Sequence, residues 1–269
     1  MAAVFTLWAI WRLPARLLTL LTLMAALMGM TGPTGVLMVV DAQAAPREKM
    51  SMRYLRGVHV LQTMNPGDHW PVVVVPRQVR TQDTTSALLA HRDRTFVLET
   101  ITHDLAAAAK TGLWPEANYY AAYAFAFLSR HTEAAEAMKK YLSKAPFRDQ
   151  DYFFLVRELY AMPDYKAVVE SARLWQAHDN NLEVCSEERL TYIWGSLQNQ
   201  GLYREAMEEV LSDPCASWRG QIYFAKSSML LGDTEGALAR VDATLRAFPE
   251  RTQEIHILWN RMLTSNRYP

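Results

Sequence analysis

Only two cysteines stand in the 269 residues of this chain, its formal charges cancel, and its 11 glycines gather into no loop. Two thiols are too few for a disulfide framework. With 28 basic and 28 acidic residues, there is no cationic field to attract nucleic acid or an anionic membrane surface. No glycine-rich phosphate loop or dinucleotide fingerprint occurs. The seven histidines, His59, His69, His91, His103, His131, His178 and His256, are scattered, and none forms the paired i, i+4 arrangement with an acid that a zinc hydrolase shows. The acid pairs Glu187-Glu188 and Glu208-Glu209 are sequence neighbours, so on a helix they point in different directions and read as solvated faces. His103-Asp104 is the nearest approach to a catalytic pair and has no nucleophile beside it. No catalytic residue, metal or cofactor is therefore expected, and the chain reads as a non-enzyme.

Long apolar runs are confined to the N-terminus. Arg12 and Arg16 precede 24 uncharged residues from Leu17 to Val40, broken by Gly29, Gly32, Pro33 and Gly35, and Ala42-Gln43-Ala44 then places small residues where a signal peptidase reads them. Residues 1–44 are expected to be an export leader cleaved after Ala44. The stretch 17–40 is also long enough to span a bilayer as an uncleaved membrane tether, and either form puts the rest of the chain outside the cytoplasm. Removing residues 1–44 leaves 26 basic and 27 acidic residues.

Past the leader, one phrase recurs. It reads Ser129-Arg130-His131-Thr132-Glu133-Ala134, then Pro163-Asp164-Tyr165-Lys166-Ala167-Val168, then Gly201-Leu202-Tyr203-Arg204-Glu205-Ala206, then Gly232-Asp233-Thr234-Glu235-Gly236-Ala237. Each is a turn followed by a small anchor. The anchors Ala134, Val168, Ala206 and Ala237 are 34, 38 and 31 residues apart, a period that suits stacked helical hairpins. Between the turns, Leu190, Ile193, Trp194 and Leu197 fall at i, i+3, i+4 and i+7, one face of an α-helix. Small anchors have a physical cause, since two helices approach to about 8–10 Å only where side chains are short. Pro115 opens a helix, Asp164 and Asp233 stand in N-cap positions, and Pro146, Pro214 and Pro249 stop helices. Ile255, Leu258, Trp259 and Met262 then repeat the helical spacing in a C-terminal cap.

These residues resemble the tetratricopeptide repeat over Pro115 to Pro249. The third copy carries the resemblance best, with Leu190, Ile193, Trp194 and Leu197, the turn residues Gly201 and Tyr203, then Ala206 and Val210. The first has Ala121, Ala122, Phe125, Ala134, Met138, Tyr141 and Pro146, with His131 in place of the turn tyrosine; the second has Leu155, Leu159, Tyr165, Ala172 and Trp175, with Val168 in place of alanine. The fourth has Phe224, Ala225, Gly232, Ala237, Val241 and Pro249. The resemblance implies an all-α solenoid of helical hairpins over about 115–148, 149–182, 187–217 and 218–249, capped by 250–269. It also implies a groove lined by the first helix of each hairpin. Carried onto this chain, the groove residues are Tyr119, Tyr123, Arg157, Tyr160, Gln198, Asn199 and Lys226, a mixture suited to a protein or peptide partner. Tyr119, Tyr120, Tyr123, Phe125 and Phe127 also read as plain core, so crowded is that segment with apolar residues.

Two further expectations complete the reading. Cys185 precedes the first helix of the third hairpin and Cys215 follows its second, so the two ends of an antiparallel hairpin would meet in a disulfide in an oxidising compartment; two buried free thiols are the alternative. Residues 45–85 read as a short extended or β-hairpin arm, because Val58–Thr63 and Val72–Val79 are rich in β-branched residues around the turn Met64-Asn65-Pro66-Gly67-Asp68. That arm either packs on the first helices or orders only on a partner, and residues 86–114 return to helical spacing ended by Gly112. The whole is expected to be an exported interaction adaptor of a bacterial cell envelope. Alternatives are a permanent subunit of an envelope assembly for secretion, pili or polysaccharide export, and an enzyme whose site lies in 45–85.

Overall fold

The computed structural model describes residues 35–66, 70–71, 73–145, 148–178, 187–212 and 217–264, with the backbone alone over 35–47. The chain divides into two units, Met1–Arg53 and Tyr54–Pro269. The division falls inside the first helix, α1 (Gly35–Met64). In the first unit the described backbone is helical from Gly35 and passes without a break through Ala44, the expected cleavage position. The leader before residue 35 lies outside the described residues. No helix among those described is long and apolar enough to cross a membrane.

The second unit continues from the end of α1 through α2 (Arg77–Arg80), α3 (Asp83–Ala90) and α4 (Arg94–Thr111). Next come α5 (Ala117–Phe127) with α6 (His131–Leu142), α7 (Asp149–Ala161) with α8 (Tyr165–His178), α9 (Glu187–Asn199) with α10 (Tyr203–Ser212), and α11 (Trp218–Leu230) with α12 (Thr234–Ala247). A 3-10 turn at Pro249–Arg251 leads into α13 (Thr252–Thr264). Each pair packs as a hairpin, and the second helix of each hairpin packs on the first helix of the next. The first helices α7, α9, α11 and α13 also touch in sequence. The fold of this unit is thus all-α, a stack of helical hairpins in chain order.

The recurring phrase marks how each first helix stops and reverses. Ser129, Gly201 and Gly232 take positive φ, at 56°, 75° and 95°. At each, a pair of backbone bonds closes the helix end: Arg130 N–H to Phe125 O at 2.9 Å with Ser129 N–H to Ala126 O at 2.9 Å, and the same pattern at Leu202→Leu197 (2.9 Å) and Asp233→Ser228 (3.0 Å). This left-handed closure satisfies carbonyls the helix leaves open. The following helix then starts on a cap, with the Asp164 carboxylate accepting from Ala167 N–H at 3.2 Å and that of Asp233 from Gly236 N–H at 2.9 Å. Each such cap contributes about 1 kcal/mol. One turn later come the anchors, and Ala134, Val168, Ala206 and Ala237 are all 0% exposed. α13 buries Ile255, Trp259 and Met262 against the last hairpin.

Of the extended or β-hairpin arm expected over 45–85, no hairpin is formed among the described residues. Val58–Thr63 lie within α1, residues 73–76 carry no regular structure, and no strand occurs among the described residues. Helical spacing explains the correction: Tyr54, Val58 and Leu61 fall at i, i+4 and i+7, and all three are buried. Tertiary burial overrides the β preference of Val58 and Val60. A close crossing fixes the end of α1 on α4, since a Cβ at Gly57 would lie 2.9 Å from Leu105 Cγ. Beside it Arg56 pairs with the buried Asp104. Cys185 and Cys215 lie outside the described residues, as do Pro146 and Pro214.

The anchors and turns generate two expectations for urea unfolding. Ala237→Leu should lower stability by about 1–3 kcal/mol through overpacking, whereas Ala239→Leu, on the exposed side of α12, should change it by less than about 0.5 kcal/mol. Ser129→Gly should raise stability by up to about 1 kcal/mol, because serine bears the cost of the left-handed conformation that glycine avoids.

Candidate functional site

The first-helix side of the stack carries two aromatic groups that differ in how they are covered. The first lies on α5. Tyr120 donates its hydroxyl to Pro71 O at 2.8 Å and accepts from Gln62 Nε2 at 2.8 Å. Trp70 stacks on Tyr120, with ring centres 5.4 Å apart and planes at 10°, and sits 5.1 Å from the Tyr123 ring and 6.3 Å from Tyr119 edge-on. Its indole N–H donates to Asn65 O at 2.9 Å. The segment after α1 therefore lays its own tryptophan over the tyrosines of α5. Behind that layer Tyr119 is 1% exposed, and Tyr123 stacks on Phe154 of α7 at 4.3 Å. Burial pushes the hydroxyl pKa of both Tyr119 and Tyr120 upward, so neither ionises in the physiological range.

The second group lies on α7 and α9. Phe153, Arg157 and Tyr160 follow one another at i, i+4 and i+7 on α7, and Tyr192 faces them from α9. Tyr192 is 5.3 Å from the Tyr160 ring and 6.1 Å from that of Phe153, both edge-on. Asn199 Nδ2 donates to the Tyr160 hydroxyl at 3.3 Å. Gly195 makes room for this contact, since a Cβ there would sit 3.2 Å from the same hydroxyl. Phe153, Tyr160, Tyr192 and Asn199 are all partly exposed. Burial pushes the Tyr160 hydroxyl up to about 12, with Tyr165 adding to the rise and the Asn199 bond opposing it. The Tyr192 hydroxyl is also raised by burial, and the charge of Arg157 pulls it back.

Arg157 is the cation of this face. Its side chain is 49% exposed, it shares the buried Glu158 carboxylate at 2.9 and 3.0 Å, and it lies 5.1 Å above the Phe154 ring. Glu158 also meets His131 Nδ1 at 2.7 Å. The guanidinium is thus held at its inner edge while half of it faces solvent. Fixed in this way, it can present donors to a carboxylate with little further loss of freedom.

The remaining sequence candidates lie inside the stack. Gln198 is 6% exposed and donates to Ser227 Oγ at 2.7 Å; Lys226 is 7% exposed, and burial lowers its ammonium pKa. Gln198 and Ser227 belong to the seam between α9 and α11, where Trp194 stacks on Tyr223 at 4.3 Å and gives its N–H to Tyr223 O and Ser227 Oγ, both at 3.0 Å. The structure therefore brings Arg157, Tyr160 and Asn199 to one open face, buries Gln198 and Lys226, and places Tyr119 and Tyr123 beneath or beside Trp70. Phe153, Tyr192 and Trp70 were not singled out in the sequence. The i, i+4, i+7 run through Arg157 was the available signal for Phe153; nothing local announces Trp70. No group of metal-ligating side chains occurs among the described residues.

No family model matches the chain, and no curated protein matches it. Among solved structures, similar ones include TTC0263, a thermophilic TPR protein of Thermus thermophilus, at 14% identity and a TM-score of 0.40 over 63% of this chain and 92% of that one. YrrB, a TPR protein with an unusual peptide-binding site, gives 16% and 0.45 over 65% and 88%. MamA of MSR-1 gives 18% and 0.44 over 65% and 98%.

If Trp70 pins the segment after α1 to the stack, Trp70→Ala should lower stability by about 2–4 kcal/mol through lost ring burial. It should also flatten the near-ultraviolet circular dichroism of the tyrosines, while Trp70→Phe should retain most of both.

Proposed function

We propose that this chain is an exported interaction scaffold of the bacterial cell envelope that binds a protein or peptide segment along the first helices α7 and α9. The observation that carries this reading is the partly exposed group of Phe153, Tyr160 and Tyr192 beside the half-exposed Arg157. Aromatic rings supply apolar contact area at little entropic cost, and arginine fixes an acidic group. A segment with an apolar residue near an aspartate or glutamate fits this face. Tyr119, Tyr120 and Tyr123 of α5 are excluded from that role while Trp70 covers them. Export rests on the sequence of residues 1–44, and the two forms expected there, cleaved or tethered, differ in mass.

In-cell photo-crosslinking tests the binding face. A probe at Tyr192 should capture one discrete partner, a probe at the exposed Glu208 should not, and Arg157→Glu should reduce capture about tenfold or more. Equal labelling from both positions, or capture indifferent to Arg157→Glu, would overturn the assignment. Intact-mass measurement on the envelope fraction should find the chain there, beginning at Ala45 if the leader is removed; recovery only from the cytoplasm would refute export.

A further inference from the structure

A second surface lies on the second-helix side and shares no residue with the face just described. α5 packs against both α4 and α6, and between those two helices is a groove of about 640 Å³. Its floor is short-chained: Ala106 and Ala107 from α4, Ala121 from α5 and Ala137 from α6, with Phe125 toward one end. Because α4 and α6 are each the antiparallel neighbour of α5, they run in the same direction, and their charges sort by end. Glu99 of α4 and Glu133 of α6 border the half where these helices begin, Glu136 lies at the middle of α6, and Lys110 and Lys140 border the other end. Arg130, at the acidic end, lies 4.7 Å over the Phe125 ring and is bonded to Glu133 at 2.9 Å through Nε, so it closes the groove there without cancelling Glu99 or Glu136.

We propose that this groove docks an amphipathic α-helix of a partner protein, with basic residues in its first turn over Glu99 and acidic residues in its last turn over Lys110 and Lys140. Three features select a helix with this polarity. Besides Thr102, His103 and Asn118 the floor is alanine methyl, too few partners for the successive backbone N–H and C=O groups of an extended chain, whereas a helix satisfies its own. Small floor residues admit a helix axis to about 8–10 Å, which large side chains prevent. The acidic end complements the positive pole of a helix N-terminus, and the two lysines complement the negative pole of its C-terminus. The stretch from Glu99 to Lys110 rises about 16 Å, enough to hold roughly three turns of a bound helix.

The test uses the full chain and two synthetic helical peptides of about 14 residues. Both carry the same alanine and leucine stripe; one has lysines in the first turn and glutamates in the last, and the other has those charges exchanged. Fluorescence anisotropy should show the first peptide binding and the exchanged peptide binding at least about tenfold more weakly, with the difference shrinking as salt is raised. Lys110→Glu combined with Lys140→Glu, both at exposed positions, should weaken the first peptide about tenfold or more, while Arg246→Glu, at an exposed position of α12 outside the groove, should leave it unchanged. Failure of the first peptide to bind, equal binding of the two peptides, or indifference to the lysine reversals would overturn the proposal. Loss on Tyr192→Ala with the lysine reversals silent would assign the peptide to α7 and α9 instead.

Discussion

The structure depends on the close approach permitted at one small residue per hairpin, one turn after the left-handed reversal. Ala134, Val168, Ala206 and Ala237 are fully buried because the partner helix lies directly on them, and each is delivered there by a turn whose backbone bonds fix where the helix ends. The reversal sets the rotation of the second helix, the anchor sets its distance, and the second helix presents a surface to the next hairpin. A change at the first step is carried down the stack, because every hairpin contacts its neighbours in sequence.

From that repeated unit two unlike sides arise. On the first-helix side, α7, α9, α11 and α13 touch one another, so part of their side chains is spent on a seam such as Trp194, Gln198, Tyr223 and Ser227. What remains open carries rings and Arg157. On the second-helix side, α4 and α6 stand apart over α5 and leave a groove floored by methyl groups. The tryptophan after α1 modifies this plan at one end, converting the tyrosines of α5 from a surface into an internal layer.

Much of the hairpin stack was legible in the sequence because its determinants are local. A glycine or serine at the reversal, an aspartate at the cap and an alanine one turn later act within six residues of each other. The run Val58–Thr63 was read as extended because its β-branched content, beside a turn, was weighed above the i, i+4, i+7 spacing of Tyr54, Val58 and Leu61. The site was less legible. Spacing shows that Lys226 and Arg157 lie on first helices but not which flank the next hairpin covers; α11 turns Lys226 inward, whereas α7 leaves Arg157 at the surface. Trp70 meets Tyr120 across 50 residues, and no local pattern encodes a contact of that kind.

The central claim is that the open binding face lies on α7 and α9, with Tyr119, Tyr120 and Tyr123 of α5 covered by Trp70. Hydrogen–deuterium exchange on the full chain, alone and bound to a peptide selected from a random displayed library for binding to it, tests this most directly. The account predicts new protection concentrated in 153–160 and 187–199, with 117–123 already slow to exchange in the free chain and unchanged on binding. Protection appearing instead at 117–123, with release of the segment around Trp70, would contradict it.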